Sequence, residues 1–119
     1  MLDHYIFRTA LLDISEDNDL TEPVRILGYE VVAIAMPAAL NPNGSSEMTF
    51  QVDPGDGVYR ALADDSNTAL TLTNITQGQV AQVQEQKPPI VGVNLKLVLS
   101  SAETAADRTF LVLLKQLPS

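Results

Sequence analysis

The sequence predicts an all-β protein, an antiparallel β-sandwich of jelly-roll-like type with seven or eight strands in one domain spanning residues 1–119. Three observations predict it. First, Val91, Val93, Leu95, Leu97 and Leu99 alternate with Gly92, Asn94 and Lys96 on the opposite positions, the period of two that marks a half-buried strand. Second, turn-forming residues recur at short intervals along the chain, as they do in sandwiches and barrels. Third, no segment carries a credible long helical pattern.

In chain order, residues 5–14 admit two readings. Ile6, Ala10 and Ile14, like Phe7 and Leu11, have helical spacing, whereas the aromatic and β-branched start favours a strand. Residues 1–22 read as an N-terminal arm that ends in a solvated acidic loop over 15–22. Residues 28–36, rich in Val and Ile, form the next strand. Asn41-Pro42-Asn43-Gly44 is a turn, because its residues fix φ or tolerate positive φ. Residues 47–53 alternate, with Met48, Phe50 and Val52 inward and Thr49 and Gln51 outward. Asp53-Pro54-Gly55-Asp56-Gly57 then turns the chain into a hairpin with residues 58–62.

After a third turn at Asp64-Asp65-Ser66-Asn67, residues 68–75 place Leu70 and Leu72 on one face and Thr71 and Thr73 on the other. Gln77-Gly78 turns into a weak strand over 79–84, marked by Val80 and Val83 among glutamines. Pro88-Pro89 cannot continue a ladder and resets the chain before the alternating run of 90–99. A loop of small polar residues, 100–108, leads to the last strand over 109–115.

Composition narrows the function. The net charge of −8 and only seven basic residues, scattered along the chain, argue against a nucleic-acid surface. The longest apolar run, 31–40, is broken by Pro37 and falls short of the ~20 residues of a membrane span. Met1-Leu2-Asp3-His4 lacks the basic start and apolar core of a secretory leader, so the sequon Asn74-Ile75-Thr76 is read as unused. The absence of cysteine removes disulfides, thiolate metal sites and thiol nucleophiles, and is compatible with assembly in a reducing cytoplasm.

Little chemistry stands out. His4 is the sole histidine and has neither a carboxylate cluster beside it nor the company of zinc ligands. Asp53, Asp56, Asp64 and Asp65 flank one hairpin, and Glu16, Asp17 and Asp19 share one loop. Neither group has the spacing of a calcium loop, and turn-forming aspartates facing water account for both. No catalytic residue, cofactor or metal site is expected. Asp107 and Arg108 are the charged pair to single out, either as a clamp from loop to sheet or as an intersubunit contact.

Assembly is the stronger signal. Leu111 and Leu113 oppose Phe110, Val112 and Leu114, and Val32, Ile34 and Met36 oppose Val31 and Ala33. A two-layer sandwich has one inner face per sheet, so a second apolar face calls for a cover. A neighbouring subunit is the simplest one, which makes Leu111, Leu113, Asp107 and Arg108 the candidate interface.

Met48-Thr49-Phe50-Gln51-Val52-Asp53-Pro54, followed by Gly57-Val58-Tyr59, resembles the strand, Asp/Gly turn and aromatic of small head- or tail-associated structural proteins of tailed bacteriophages. Leu95-Lys96-Leu97-Val98-Leu99-Ser100-Ser101, with Ala105-Ala106-Asp107-Arg108-Thr109-Phe110, is similar to the ending of the same proteins. The likeness covers residues 47–114 and departs from those proteins at 79–86, which is poor in aromatics. It implies a non-enzymatic virion protein, a capsid decoration or cement protein that is assembled in the host cytoplasm and binds the major capsid protein or another virion protein. By analogy it implies a homo-oligomer, with a trimer as the first expectation. Two rival readings stand beside it. One is a carbohydrate- or Ca²⁺-binding module of a tail or baseplate using Tyr59, and the other is a carboxylate-dependent hydrolase.

Overall fold

The computed structural model describes residues 7–41, 43–44, 46–64, 66–83 and 90–117, with Asn74 described by its backbone alone. These residues form nine strands and no helix. They are β1 (Phe7–Ile14), β2 (Val24–Arg25), β3 (Tyr29–Ala35), β4 (Ser46–Asp53), β5 (Arg60–Ala61), β6 (Leu72–Ile75), β7 (Val80–Gln82), β8 (Asn94–Leu99) and β9 (Arg108–Gln116). One sheet has the order β1-β9-β3-β7 and the other β2-β8-β4-β5, with β6 also on β4. Every pairing is antiparallel. The far edge of β4 is shared, β5 lying along Gln51 and Val52 and β6 along Ser46 and Met48.

The pairs β1–β9, β2–β8, β3–β7 and β4 with β5 and β6 trace one long hairpin. The pairs β3–β9 and β4–β8 stitch that hairpin into two sheets. The all-β sandwich expected from the alternating runs is therefore the fold observed. Leu12, Ile14, Phe110, Val112 and Leu114 from the first sheet join Met48, Phe50, Val52, Leu95, Leu97 and Leu99 from the second in one buried core. Each of these sets follows the period of two along its strand. Of the two readings of residues 5–14, the strand is the one formed over β1.

Three details depart from the sequence reading. In β3 the ladder with β9 slips between Val31 and Ala33. This bulge returns Val31 to the inner face, opposite Leu114, while Ala33 and Ala35 face outward with Leu113 and Leu111. The strand expected over 90–99 enters its ladder at Asn94; before it Ile90 is bridged to Val31 of the other sheet, and the Val93 N–H bonds the Asp53 carbonyl at 2.9 Å. The acidic segment 15–22 is partly ordered against the sheet: Leu99 N–H reaches the Asp19 carbonyl, Thr21 N–H bonds Leu97 O, and Leu97 N–H returns to the Thr21 hydroxyl at 2.9 Å. These bonds carry the edge of β8 on from β2, a two-residue strand too short to show in any pattern.

Gly92 marks the tightest approach. A Cβ on it would lie 2.2 Å from Val52 Cγ1 and 3.3 Å from the Asp53 carbonyl oxygen. Val52 is stiff at χ1 and packed in the core, so neither neighbour can give way freely. Gly92→Ala is expected to lower the unfolding free energy by about 1–3 kcal/mol through overpacking, read from the midpoint of urea denaturation.

Candidate functional site

The outer faces of the two sheets differ in chemistry. On the five-stranded sheet, Thr49, Gln51, Asn94 and Lys96, with Val98 as the one apolar residue among them, occupy outward positions of β4 and β8. On the four-stranded sheet the register aligns Leu11, Leu111, Ala35 and Val80 in one row that crosses all four strands. Thr9, Leu113, Ala33 and Gln82 form the next row. Leu11 is 63% exposed and Val80 60%, while Leu111 and Leu113 between them are half-buried by their neighbours.

Polar pairs bound the strip at both ends. Thr109 Oγ1 donates to Asp13 Oδ1 at 2.7 Å on one side. Lys115 Nζ meets Glu30 Oε1 at 3.3 Å on the other, beside Phe7. A bounded apolar strip on an otherwise acidic protein is the surface best suited to bury against another molecule. Leu111 and Leu113 lie in its middle.

Asp107 and Arg108 are not bonded to each other. Asp107 Oδ1 accepts the Glu16 amide at 2.8 Å, and Arg108 Nε donates to Glu103 Oε1 at 3.1 Å. The centre of this arrangement is Glu103, a residue the sequence reading passed over, which is 0% exposed. Its Oε1 also accepts the Asn41 amide at 2.8 Å, and its Oε2 accepts the amides of Ala105 at 2.8 Å and Ala106 at 3.3 Å. Its backbone adds bonds from Asp17 N–H to Glu103 O and from Glu103 N–H to Asn18 O. Three loops, around 16–18, 41 and 103–108, thus meet on one residue, the first through its backbone and the other two through its side chain. Burial pushes the Glu103 carboxyl up, but the donors from Asn41, Ala105, Arg108 and Ala106 outweigh it and hold it below the ordinary range. The only sequence signal for this was the run of small residues around Glu103, which lets backbone amides converge on a carboxylate.

Asp53, Asp56 and Asp64 serve turns. Asp53 Oδ1 accepts the amides of Gly55 at 2.8 Å and Gly57 at 2.9 Å, and Oδ2 accepts Asn94 Nδ2. The bond from Gly55, opposed by burial and reinforced by Gly57 and Asn94, holds this carboxyl below its usual value. Asp56 pairs with Arg60 at 2.8 Å, and Asp64 Oδ1 accepts the amides of Ser66 and Thr68. Among the described residues no three His, Cys, Asp or Glu gather to hold a metal ion. Lys96 Nζ stands 4.2 Å from the centroid of the Tyr59 ring, on one of the faces a sugar would need. His4 and Asp65 lie outside the described residues, as do Pro88 and Pro89. No described helix is long and apolar enough to cross a membrane.

The Glu103 cluster gives two expected outcomes. Glu103→Gln puts an NH₂ group where one carboxylate oxygen met N–H donors, and should cost on the order of 3 kcal/mol at pH 7 by urea unfolding. A lowered folded pKa confers stability that is present above about pH 4.3 and is lost as pH falls through the folded value. The gap between wild type and Glu103→Gln should therefore narrow steadily below about pH 4. Arg108→Ala should cost about 1–3 kcal/mol by leaving Glu103 short of a donor, and Arg108→Lys should not restore it.

Compared with protein-family models, with curated proteins and with solved structures, the chain matches none.

Proposed function

We propose that the protein is a non-enzymatic structural component of a bacteriophage virion, of the decoration or cement type, bound to the outside of the head. The observation that carries this reading is the apolar strip of Leu11, Leu111, Leu113, Ala35 and Val80 on the outer face of the four-stranded sheet. A sheet face of this kind is suited to burial against a neighbouring protein. Support also comes from the resemblance of residues 47–114 to small virion proteins. The order of the strands adds to it: we read the wrapped hairpin, with β1 on β9, β2 on β8, β3 on β7 and β4 on β5 and β6, as a jelly roll. That architecture serves viral capsid proteins and lectins alike, so the site and not the fold decides between them. The lectin-like reading has less behind it, because Tyr59 is already covered by Lys96.

The test uses the capsid protein encoded in the same genome. Assembled heads are pelleted through sucrose with the purified chain, which should co-sediment with them. Leu111→Asp should leave the chain in the supernatant with its far-UV circular dichroism retained. Wild-type chain that stays in the supernatant overturns the proposal, and an unfolded Leu111→Asp variant assigns that face to the monomer core.

A further inference from the structure

Asn43-Gly44 is the one Asn-Gly step in the chain. An asparagine side chain can close a ring onto the main-chain nitrogen that follows it, and glycine at that position carries no Cβ to hinder the closure. The other five asparagines precede Asp19, Pro42, Thr68, Ile75 and Leu95. Proline has no N–H to lose, and the rest place a side chain beside the attacking nitrogen. Asn43 and Gly44 are both exposed, so water and base can reach them.

The fold ties down both reacting groups. Gly44 N–H donates to the Ile75 carbonyl at 2.6 Å, and Asn43 Oδ1 accepts the Gln77 amide at 2.9 Å. The nitrogen can attack only after losing its proton, which the bond to Ile75 retains. Neighbouring bonds moor the same stretch of chain. Leu40 N–H donates to Gln77 Oε1 at 3.0 Å and Gly78 N–H to the Pro37 carbonyl at 2.8 Å. Asn41 N–H meets the buried Glu103 carboxylate at 2.8 Å, and Thr104 N–H returns to the Asn41 carbonyl at 3.0 Å.

We propose that Asn43 is a self-modification site, held inactive by the native fold, which deamidates when Asn43 and Gly44 come away from residues 75–77. Base takes the Gly44 amide proton, the nitrogen bonds Asn43 Cγ, and the Cγ–Nδ2 bond breaks. Nδ2 leaves as ammonia, its extra protons supplied by water, and a five-membered imide remains. One water then opens the ring. Attack at Cγ breaks the new bond and gives aspartate, whereas attack at the main-chain carbonyl carbon breaks the original peptide bond and gives isoaspartate.

The two products differ in what the fold can do with them. Aspartate keeps an acceptor for the Gln77 amide. Isoaspartate routes the main chain through Cβ and Cγ, one atom longer, so the bonds to Ile75 and Gln77 fall out of step just ahead of β4, where Ser46 pairs with Ile75. A chain that folds promptly keeps its asparagine, and one that lingers open is altered so that it cannot restore this loop. The chemistry needs water and no partner, so it holds or fails independently of the proposed function.

The purified chain is held in mildly alkaline buffer, either folded or in concentrated urea, then digested at acid pH and assayed by mass spectrometry for conversion of amide to acid. In urea Asn43 should convert first among the six asparagines. In the folded chain its conversion should be at least about tenfold slower. Below the unfolding transition that rate should stay flat as urea is added, since opening this loop exposes little surface. Gln77→Ala, which frees the Leu40 amide, should speed the folded-state reaction. The isolated isoaspartyl product should melt below Asn43→Asp, which adds the charge without lengthening the chain. Equal rates in the folded and unfolded chain overturn the proposal, as does another asparagine converting ahead of Asn43 in urea. So does a folded-state rate that climbs with urea as steeply as global unfolding, or one that Gln77→Ala leaves unchanged. An isoaspartyl product as stable as Asn43→Asp overturns the consequence drawn for the fold.

Discussion

A carboxylate without access to solvent must have its charge answered inside the protein, and Glu103 is answered by four N–H donors. The donors come from the Asn41 loop, from the turn at Ala105 and Ala106, and from the first residue of β9. Through its backbone the same residue fixes Asp17 and Asn18. Asp17 has a φ of 69°, a left-handed conformation that a non-glycine residue holds only when its surroundings impose it. One end of the sandwich is thus set by a single ion in a low-dielectric site, where geometry has to be good for the charge to be tolerated at all. β9 starts from this fixed point, and its position sets the register of both neighbours, β1 and β3.

The strands that were legible in the sequence are those whose two faces meet different environments. β4 and β8 alternate because one face lies in the core and the other carries Thr49, Gln51, Asn94 and Lys96, with Val98 the one apolar residue beside them. β9 alternates less visibly, with leucine on both faces, yet its inner set of Phe110, Val112 and Leu114 is buried as the period requires. What could not be read was decided by single contacts. β2 exists because two residues reach the edge of β8, and the β3 bulge shifts one residue without leaving a mark on composition. Asp107 and Arg108 drew attention as a sequence pair, whereas each bonds a residue elsewhere in the chain. Charge partners across loops have no periodicity, so neighbours in sequence are a poor guide to them.

The contrast between the two outer faces gives the molecule a direction. The polar face of the five-stranded sheet ends a two-layer structure in the ordinary way, with its side chains in water. The face of the four-stranded sheet does not, although Asp13 with Thr109 and Lys115 with Glu30 frame it by polar pairs. Those frames limit the apolar area to a strip and set where a covering molecule must stop. They also place β1, an outermost strand of its sheet, at the rim of that strip.

The pairing of β1 with β9 places the earliest described strand beside the latest. During synthesis Phe7–Ile14 leaves the ribosome long before Arg108–Gln116, and until then it has no strand to complete its ladder. β3 waits for the same partner, since β9 lies between it and β1. Sheets closed by such distant contacts fold slowly, because the loop entropy is lost before the contacts form. The four-stranded sheet therefore closes only after translation of the last strand, and nascent chains carry Leu11, Leu12 and Ile14 uncovered in the meantime. The interval between the emergence of β1 and that of β9 is therefore the one in which these apolar segments are most open to association or to chaperones.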